Sequence, residues 1–335
     1  MTTLAIIGSG ILGRSLLYTL AKEQKSFEKI TLFNSDSFAF PCSLHSTAIV
    51  APRGLSQGHS PLGDLLLEAY AGFKQHIELD NPEGVELVTQ FTGASDKLDA
   101  FRARYPHGGM LDSLSSVPLK KTVYIASEEA YLIDPKSYND WLLSEARMME
   151  QYHLEVINDF VTELEQNDRV HLKTQQERVL SFDKVIFTGG NYNRFWKGLI
   201  PDSKLKTSKA VQGSYLEFNS LPWDLPSFSL TFDGDNLIWN NRLKRLLIGS
   251  TTSATHHLLP PLSELTLIYQ RLSELVDLTL PDLSQAEIKV GLREKAQKRE
   301  PYTIREGDVY LMGGMYKNGY SLALKMSKNF SHQYL

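Results

Sequence analysis

The run Leu4-Ala5-Ile6-Ile7 followed by Gly8-Ser9-Gly10-Ile11-Leu12-Gly13 constrains the fold more than any other stretch of the chain. Four consecutive apolar residues predict a strand buried on both faces, as in parallel sheets. The G-x-G-x-x-G pattern directly after it predicts a phosphate-binding turn. Apolar residues then recur at Ile11, Leu12, Leu16, Leu17, Leu20 and Ala21, which line one face of a helix. Ile30, Leu32 and Phe33 supply a second short strand. The glycines of this βαβ unit serve distinct physical ends, since Gly8 permits the tight turn, Gly10 lets backbone approach a pyrophosphate, and Gly13 lets the helix sit close to the strand. The helix N-terminus favours the phosphates. Strand, turn and helix in this order point to a dinucleotide, with an ordinary βα turn as the plainer alternative. The acid expected at the end of the second strand is replaced by Asn34, with Asp36 two positions on. An amide can hydrogen-bond a ribose hydroxyl or form a turn, and the residues leave both open.

Farther along, Asp134-Pro135 predicts a helix start, with Tyr138, Trp141, Leu142, Ala146 and Met149 as its buried face. Short strands are predicted at Leu154–Ile157, Val170–Lys173, Val179–Phe182 and Lys184–Phe187, the last running into Thr188-Gly189-Gly190, a second strand-to-glycine junction. Val211–Phe218 is another strand, and Asn236–Trp239 and Leu246–Ser250 form a pair around a polar turn. Ser263 is expected to open a helix with Leu265, Ile268, Tyr269, Leu272 and Val276 inward. A strand at Val309–Met312, a turn over Gly313–Gly319 and a terminal helix close the chain. Parallel-type strands at the start, middle and end, with hairpin-like strands between, imply an α/β fold: a Rossmann-like domain stitched from discontinuous segments, with an inserted, mostly antiparallel β-sheet domain. The expected segments are 1–75, 130–200 and 286–335 for the first, and 76–129 and 201–285 for the second.

Several function classes fall away. With 35 Lys and Arg against 39 Asp and Glu, net −4, bulk charge gives no reason to expect a nucleic-acid partner. The single Cys42 permits neither an intramolecular disulfide nor a thiolate zinc cage. The first residues do not look like a signal peptide and no run is apolar enough to span a bilayer, so a cytoplasmic protein is expected. No H-E-x-x-H spacing, G-x-S-x-G elbow or P-loop lysine occurs, so no metal site, hydrolase or triphosphatase is predicted.

LAIIGSGILG, VIFTGG, VGLRE and YLMGGMYKNGYSLAL together resemble the landmarks of the D-amino-acid oxidase and glycine oxidase group of FAD-dependent oxidoreductases. They run in the same order over nearly the whole chain. The segments AYLIDPKSYNDWLLSEA, AVQGSYLEF and RLLIGSTT fit the same group. The resemblance implies FAD as cofactor. Gly8, Ser9, Gly10, Ile11, Leu12 and Gly13 would face the pyrophosphate, Asn34 and Ser35 the ribose, and Val161 the adenine. Ser43, His45, Ser46 and Thr47 lie in the loop that relatives run along the flavin, and Thr188, Gly189 and Gly190 form the middle junction. His45 falls where dimethylglycine and sarcosine dehydrogenases attach FAD covalently, whereas oxidases of this fold hold it non-covalently. Tyr316, Lys317, Asn318, Gly319 and Tyr320 would meet the flavin's pyrimidine edge at a helix N-terminus, whose positive partial charge favours the reduced, anionic state.

By the same resemblance Arg293 would bind a substrate carboxylate, and with Lys317 and Tyr316 it makes the expected catalytic set. A guanidinium fork suits a carboxylate. Glu294 replaces the group's usual proline and could occupy Arg293 itself. Leu237 stands where glycine-oxidase-like relatives place a tyrosine near the substrate, which argues against glycine. Arg53 is either an anion contact or a solvated loop residue. The implied activity is oxidation of the C–N bond of a small amino acid or secondary amine by hydride transfer to flavin N5, the imine then being hydrolysed. Oxygen or another acceptor would take the electrons. Three other readings stay open: action on an aminomethyl group of a modified tRNA base, a flavin-binding protein whose departures at Asn34, Leu237 and Glu294 mark a lost activity, and an NAD(P)-dependent dehydrogenase.

Overall fold

The computed structural model describes residues 2–35, 42–58, 60–96, 98–148, 152–200 and 202–335. Asp36 and Met149 lie outside these. A six-stranded sheet forms one half, in the order Tyr302–Glu306, Val309–Gly313, Lys184–Phe187, Thr3–Ile7, Lys29–Asn34, His153–Asn158. All its pairings are parallel except the edge pair Tyr302–Glu306 with Val309–Gly313. The central strand is apolar from Leu4 to Ile7 because each face meets a different core. Leu4 and Ile6 pack with Leu16, Leu17 and Leu20 of the first helix, Ile11–Lys22, while Ala5 packs with Val161, Val170 and Leu172. Those last residues belong to a three-stranded antiparallel sheet, Val161–Gln166, Val170–Thr174 and Val179–Phe182.

The first helix lies between the helix Pro135–Arg147 and the last helix, Gly319–Tyr334. Asp134 caps the former by accepting from Ser137 N at 3.2 Å, as Asp134-Pro135 predicts. It also pairs with Arg245 at 3.0 Å, tying this helix to the other half of the molecule.

That other half is a nine-stranded sheet ordered Glu287–Lys295, Lys209–Phe218, Arg245–Gly249, Asp235–Asn240, Phe228–Phe232, Val85–Gly93, Val117–Ile133, Ile49–Val50, with Gly109–Leu114 added on Val117–Ile133. It is antiparallel except where Phe228–Phe232 meets Val85–Gly93. The helix Leu262–Leu275 covers one face through Leu265, Ile268 and Leu272. It starts before Ser263, on Pro261, with no side-chain cap. The opposite face, with Val88, Leu132, Tyr215 and Ile238, carries a separate small core. Sequence patterning missed the helix Pro61–Asp80, although Ser60 Oγ accepts from Gly63 N at 3.0 Å and Pro61 takes the first position. No helix among the described residues is long and apolar enough to cross a membrane.

Candidate active site

The two strand-to-glycine junctions meet. Gly8 adopts φ +115°, and a Cβ on it would stand 3.0 Å from Gly189 Cα and N. Thr188 fastens the pair, its N–H donating to Ile7 O at 2.8 Å and its hydroxyl to Gly8 O at 2.8 Å. Gly10 is the N-cap of the first helix and offers no side chain to its N–H groups. Ser43 Oγ accepts from Ile11 N at 3.2 Å, so the Cys42–Ala48 loop closes over this end. The loop is also held from the last helix, since Tyr320 Oη donates to Ser43 O at 2.7 Å and accepts from Asn139 Nδ2 at 2.8 Å. Arg14, which sequence reasoning passed over, donates from Nε to Ser9 O at 3.0 Å and pairs with Asp140 at 2.8 Å.

From this cradle a cavity of about 740 Å³ runs to the nine-stranded sheet. Asn34, at a strand end, lines it and donates to Asn158 Oδ1 at 3.0 Å. Val161 lines it as a fully packed residue. His45 lines it with Nδ1 2.9 Å from the carbonyl of Val290, so Nδ1 carries the proton and donates. The far end is walled by Gln90, Thr92, Thr231 and Asn236. Gln90 Nε2 donates to Thr231 Oγ1 at 3.0 Å, and Thr231 Oγ1 donates to Asn236 Oδ1 at 2.7 Å. These four come from three strands, and nothing in the local sequence marks them as partners.

Arg293 stands at the sheet's edge over a bare patch made by two facing glycines, Gly213 and Gly291. A Cβ on Gly213 would fall 1.8 Å from Arg293 Nη2, and one on Gly291 would fall 3.3 Å from Cys42 Cα and Sγ. One glycine therefore makes room for the guanidinium and the other for the loop. Arg293 Nη1 is buried and has no hydrogen-bond partner among the described residues. Burial pushes the Cys42 thiol up, and the adjacent Arg293 draws it back.

Two expectations are corrected here. Glu294 does not occupy Arg293: it accepts from Tyr302 Oη at 2.7 Å and from Gly314 N at 3.1 Å. Successive strand residues point to opposite faces, so neighbours 293 and 294 are kept apart. Leu237 is likewise turned away, fully buried against the covering helix, and the cavity residue on that strand is Asn236. Burial pushes the Glu294 carboxyl above its ordinary range, against the pull of Tyr302 and Gly314. Through Gly314 it anchors the turn that carries Met315–Asn318. Glu294→Ala is expected to leave that N–H and the Tyr302 hydroxyl unsatisfied, at about 1–3 kcal/mol each. A fall in melting temperature of at least about 3 °C should follow, and a thermal scan matching the parent to within about a degree would refute this anchoring role.

At the mouth, Tyr316 is in the left-handed region at φ 52°, and Lys295, Lys317 and Arg299 lie 5.7, 5.8 and 6.0 Å from its ring centroid. Burial, and then Arg293, Arg53, Arg299 and Lys295, push Lys317 down to about 8. The last helix begins at Gly319 with Asn318 as an N-cap that makes no side-chain bond.

Of the residues singled out from sequence, Gly8, Ser9, Gly10, Ile11, Leu12, Asn34, Ser35, Ser43, His45, Ser46 and Thr47 line the cavity. So do Val161, Thr188, Gly189, Gly190, Arg293, Tyr316, Lys317, Gly319 and Tyr320. Gly13 and Asn318 do not: Gly13 packs under the turn and Asn318 caps the helix. No group of three or more His, Cys, Asp or Glu among the described residues is placed to hold a metal ion.

Comparison with known proteins gives a consistent picture. The profile of the family DAO, FAD dependent oxidoreductase, matches residues 3–331. The chain is similar to glycine oxidase from Bacillus cereus ATCC 14579, with 17% identity, a TM-score of 0.74, and 99% of this chain and 96% of that one covered. It is similar to iminodiacetate oxidase from Chelativorans sp. BNC1 at 18% identity and TM-score 0.75, covering 97% and 93%. It is also similar to L-alpha-glycerophosphate oxidase from Mycoplasma pneumoniae, solved with FAD bound, at 16% identity and TM-score 0.77, covering 99% and 94%. No curated protein matches in sequence.

Proposed function

Because the chain belongs to the DAO family of FAD dependent oxidoreductases, we propose that it oxidises the C–N bond of a small amino acid or secondary amine. It is an FAD-dependent enzyme, and the cavity fits that cofactor: two glycine junctions in contact, and two helix N-termini whose own N-cap residues, Gly10 and Asn318, make no side-chain bond. Gly8, Ser9 and Gly10, with Ser43, Ser46 and Thr47, would hold the pyrophosphate. Asn34 and Ser35 would hold the ribose and Val161 the adenine, while Lys317, Gly319 and Tyr320 would border the pyrimidine edge. FAD, when bound, supplies the hydride acceptor.

The single observation that carries the substrate reading is the buried, unpartnered Nη1 of Arg293 on the cavity wall. A buried donor of that kind calls for an acceptor, and a carboxylate satisfies a guanidinium through charge-assisted bonds. Arg293 would hold the carboxylate, leaving the amine-bearing carbon toward the cavity interior, and Gln90, Thr231 and Asn236 offer polar contacts for the nitrogen. As the carbon loses a hydride, the nitrogen lone pair closes a C=N bond, and water then splits the imine into a carbonyl compound and ammonia, or a primary amine where the substrate is a secondary amine. Orientation is the protein's main contribution, and no side chain is assigned as a base.

Anaerobic mixing of the FAD-loaded protein with amino acids of both configurations and with secondary amines tests this. At least one should bleach the visible flavin band. Bleaching by dithionite alone would sink the reading and favour a flavin-binding role without turnover. Acid precipitation of the same sample should leave FAD in the supernatant, with His45 serving as a hydrogen-bonding residue.

A further inference from the structure

The mouth of the cavity gathers more positive charge than one carboxylate requires. Arg53, Arg104, Arg293 and Lys317 line it, and Lys295 and Arg299 flank the Tyr316 ring beside them. Among the described residues none of these six has a carboxylate within ion-pair distance, although the whole chain is net acidic. Of the acids that line the cavity, Glu294 is turned to the opposite face of its strand and Asp159 accepts from its neighbour Phe160 N. Arg104 spends one donor on the Arg53 carbonyl, which fixes the two arginines together. Like charges converging on a concave wall repel one another and attract an anion.

We infer that the substrate carries a second anionic group, a phosphate or a further carboxylate, received by Arg53, Lys317 and Arg299 around Tyr316 while Arg293 holds the first. This rests on the amine-oxidation reading and narrows it from any small amine to a dianionic one. The arrangement also fixes a pH dependence. Lys317 faces Arg293, Arg53, Arg299, Lys295 and Tyr316, and is held to about 8. An anion bound there favours its protonated form, so affinity for the second group falls as pH rises through that value.

Binding, read by calorimetry on the FAD-loaded protein, tests the inference without requiring turnover. O-phosphoserine is compared with serine, and aspartate with alanine, in both configurations. Near neutral pH the dianionic member of at least one pair should bind about 10-fold tighter or more, and which pair responds distinguishes phosphate from carboxylate. The ratio should shrink by at least about 3-fold in Arg53→Gln and in Arg299→Gln, and at high salt. Equal binding within both pairs would overturn the inference, as would a ratio that neither variant changes. Failure of the amine-oxidation reading shows separately, as a tightly bound dianion that leaves the flavin band unbleached.

Discussion

Gly13→Ala is expected to yield a protein that retains less than about a tenth of the parent's FAD and is less stable by about 3 kcal/mol. A Cβ at this position would stand 1.9 Å from Gly8 O and 2.7 Å from Thr188 Oγ1. Neither contact can be relieved by turning a flexible side chain. The Gly8 carbonyl is backbone, and the Thr188 hydroxyl is already donating to that same oxygen. The first helix must therefore lift away from the central strand, carrying Gly10 and the cradle with it. Gly72→Ala provides the contrast, because Gly72 is inside the helix Pro61–Asp80 and a Cβ there meets nothing within 4 Å. That substitution should be neutral or stabilising by up to about 1 kcal/mol. Flavin absorbance per protein and the denaturation midpoint measure both variants. Full flavin content in Gly13→Ala would show that the close approach is dispensable.

Arg293→Gln is expected to lower kcat/KM for a carboxylate-bearing substrate by about 30-fold to several thousand-fold, the equivalent of losing 2–5 kcal/mol from a desolvated charge pair. Arg293→Lys should not restore it, since a lysine cannot present two parallel donors. The stricter test is Gly213→Ala, which keeps the charge and removes its seat: the new Cβ would lie 1.8 Å from Nη2 and 2.3 Å from Cζ. Both variants should fail on carboxylate substrates while an amine lacking the carboxylate is turned over as slowly as by the parent. A Gly213→Ala enzyme with undiminished kcat/KM would mean that the guanidinium acts from some other position.

Legibility in the sequence followed the range of the interactions. The first strand, its glycine turn and the helix after it are local events, and the pattern Leu4–Ala21 reveals them because periodicity and turn chemistry act over a few residues. Asp134-Pro135 is legible for the same reason. Side-chain direction was harder. Glu294 and Leu237 were expected at the site from their place in a segment, yet a strand alternates faces, and a displacement of one residue exchanges cavity for core. The polar wall of Gln90, Thr231 and Asn236 was not legible at all, because its members meet only through pairing of distant strands. The cationic mouth escaped for a different reason: a near-neutral total hides a local excess when the balancing acids lie elsewhere.

The contact between the two glycine junctions also bears on how the enzyme is made. The first turn leaves the ribosome about 180 residues before Gly189 and about 300 before Gly313, an interval on the order of tens of seconds at ordinary synthesis rates. During that time the first strand has Lys29–Asn34 on one edge, but its other edge waits for Lys184–Phe187 and its helix waits for the last helix, Gly319–Tyr334. Cofactor loading is therefore a late event in biosynthesis, and cellular flavin supply acts on finished chains competing with their own aggregation.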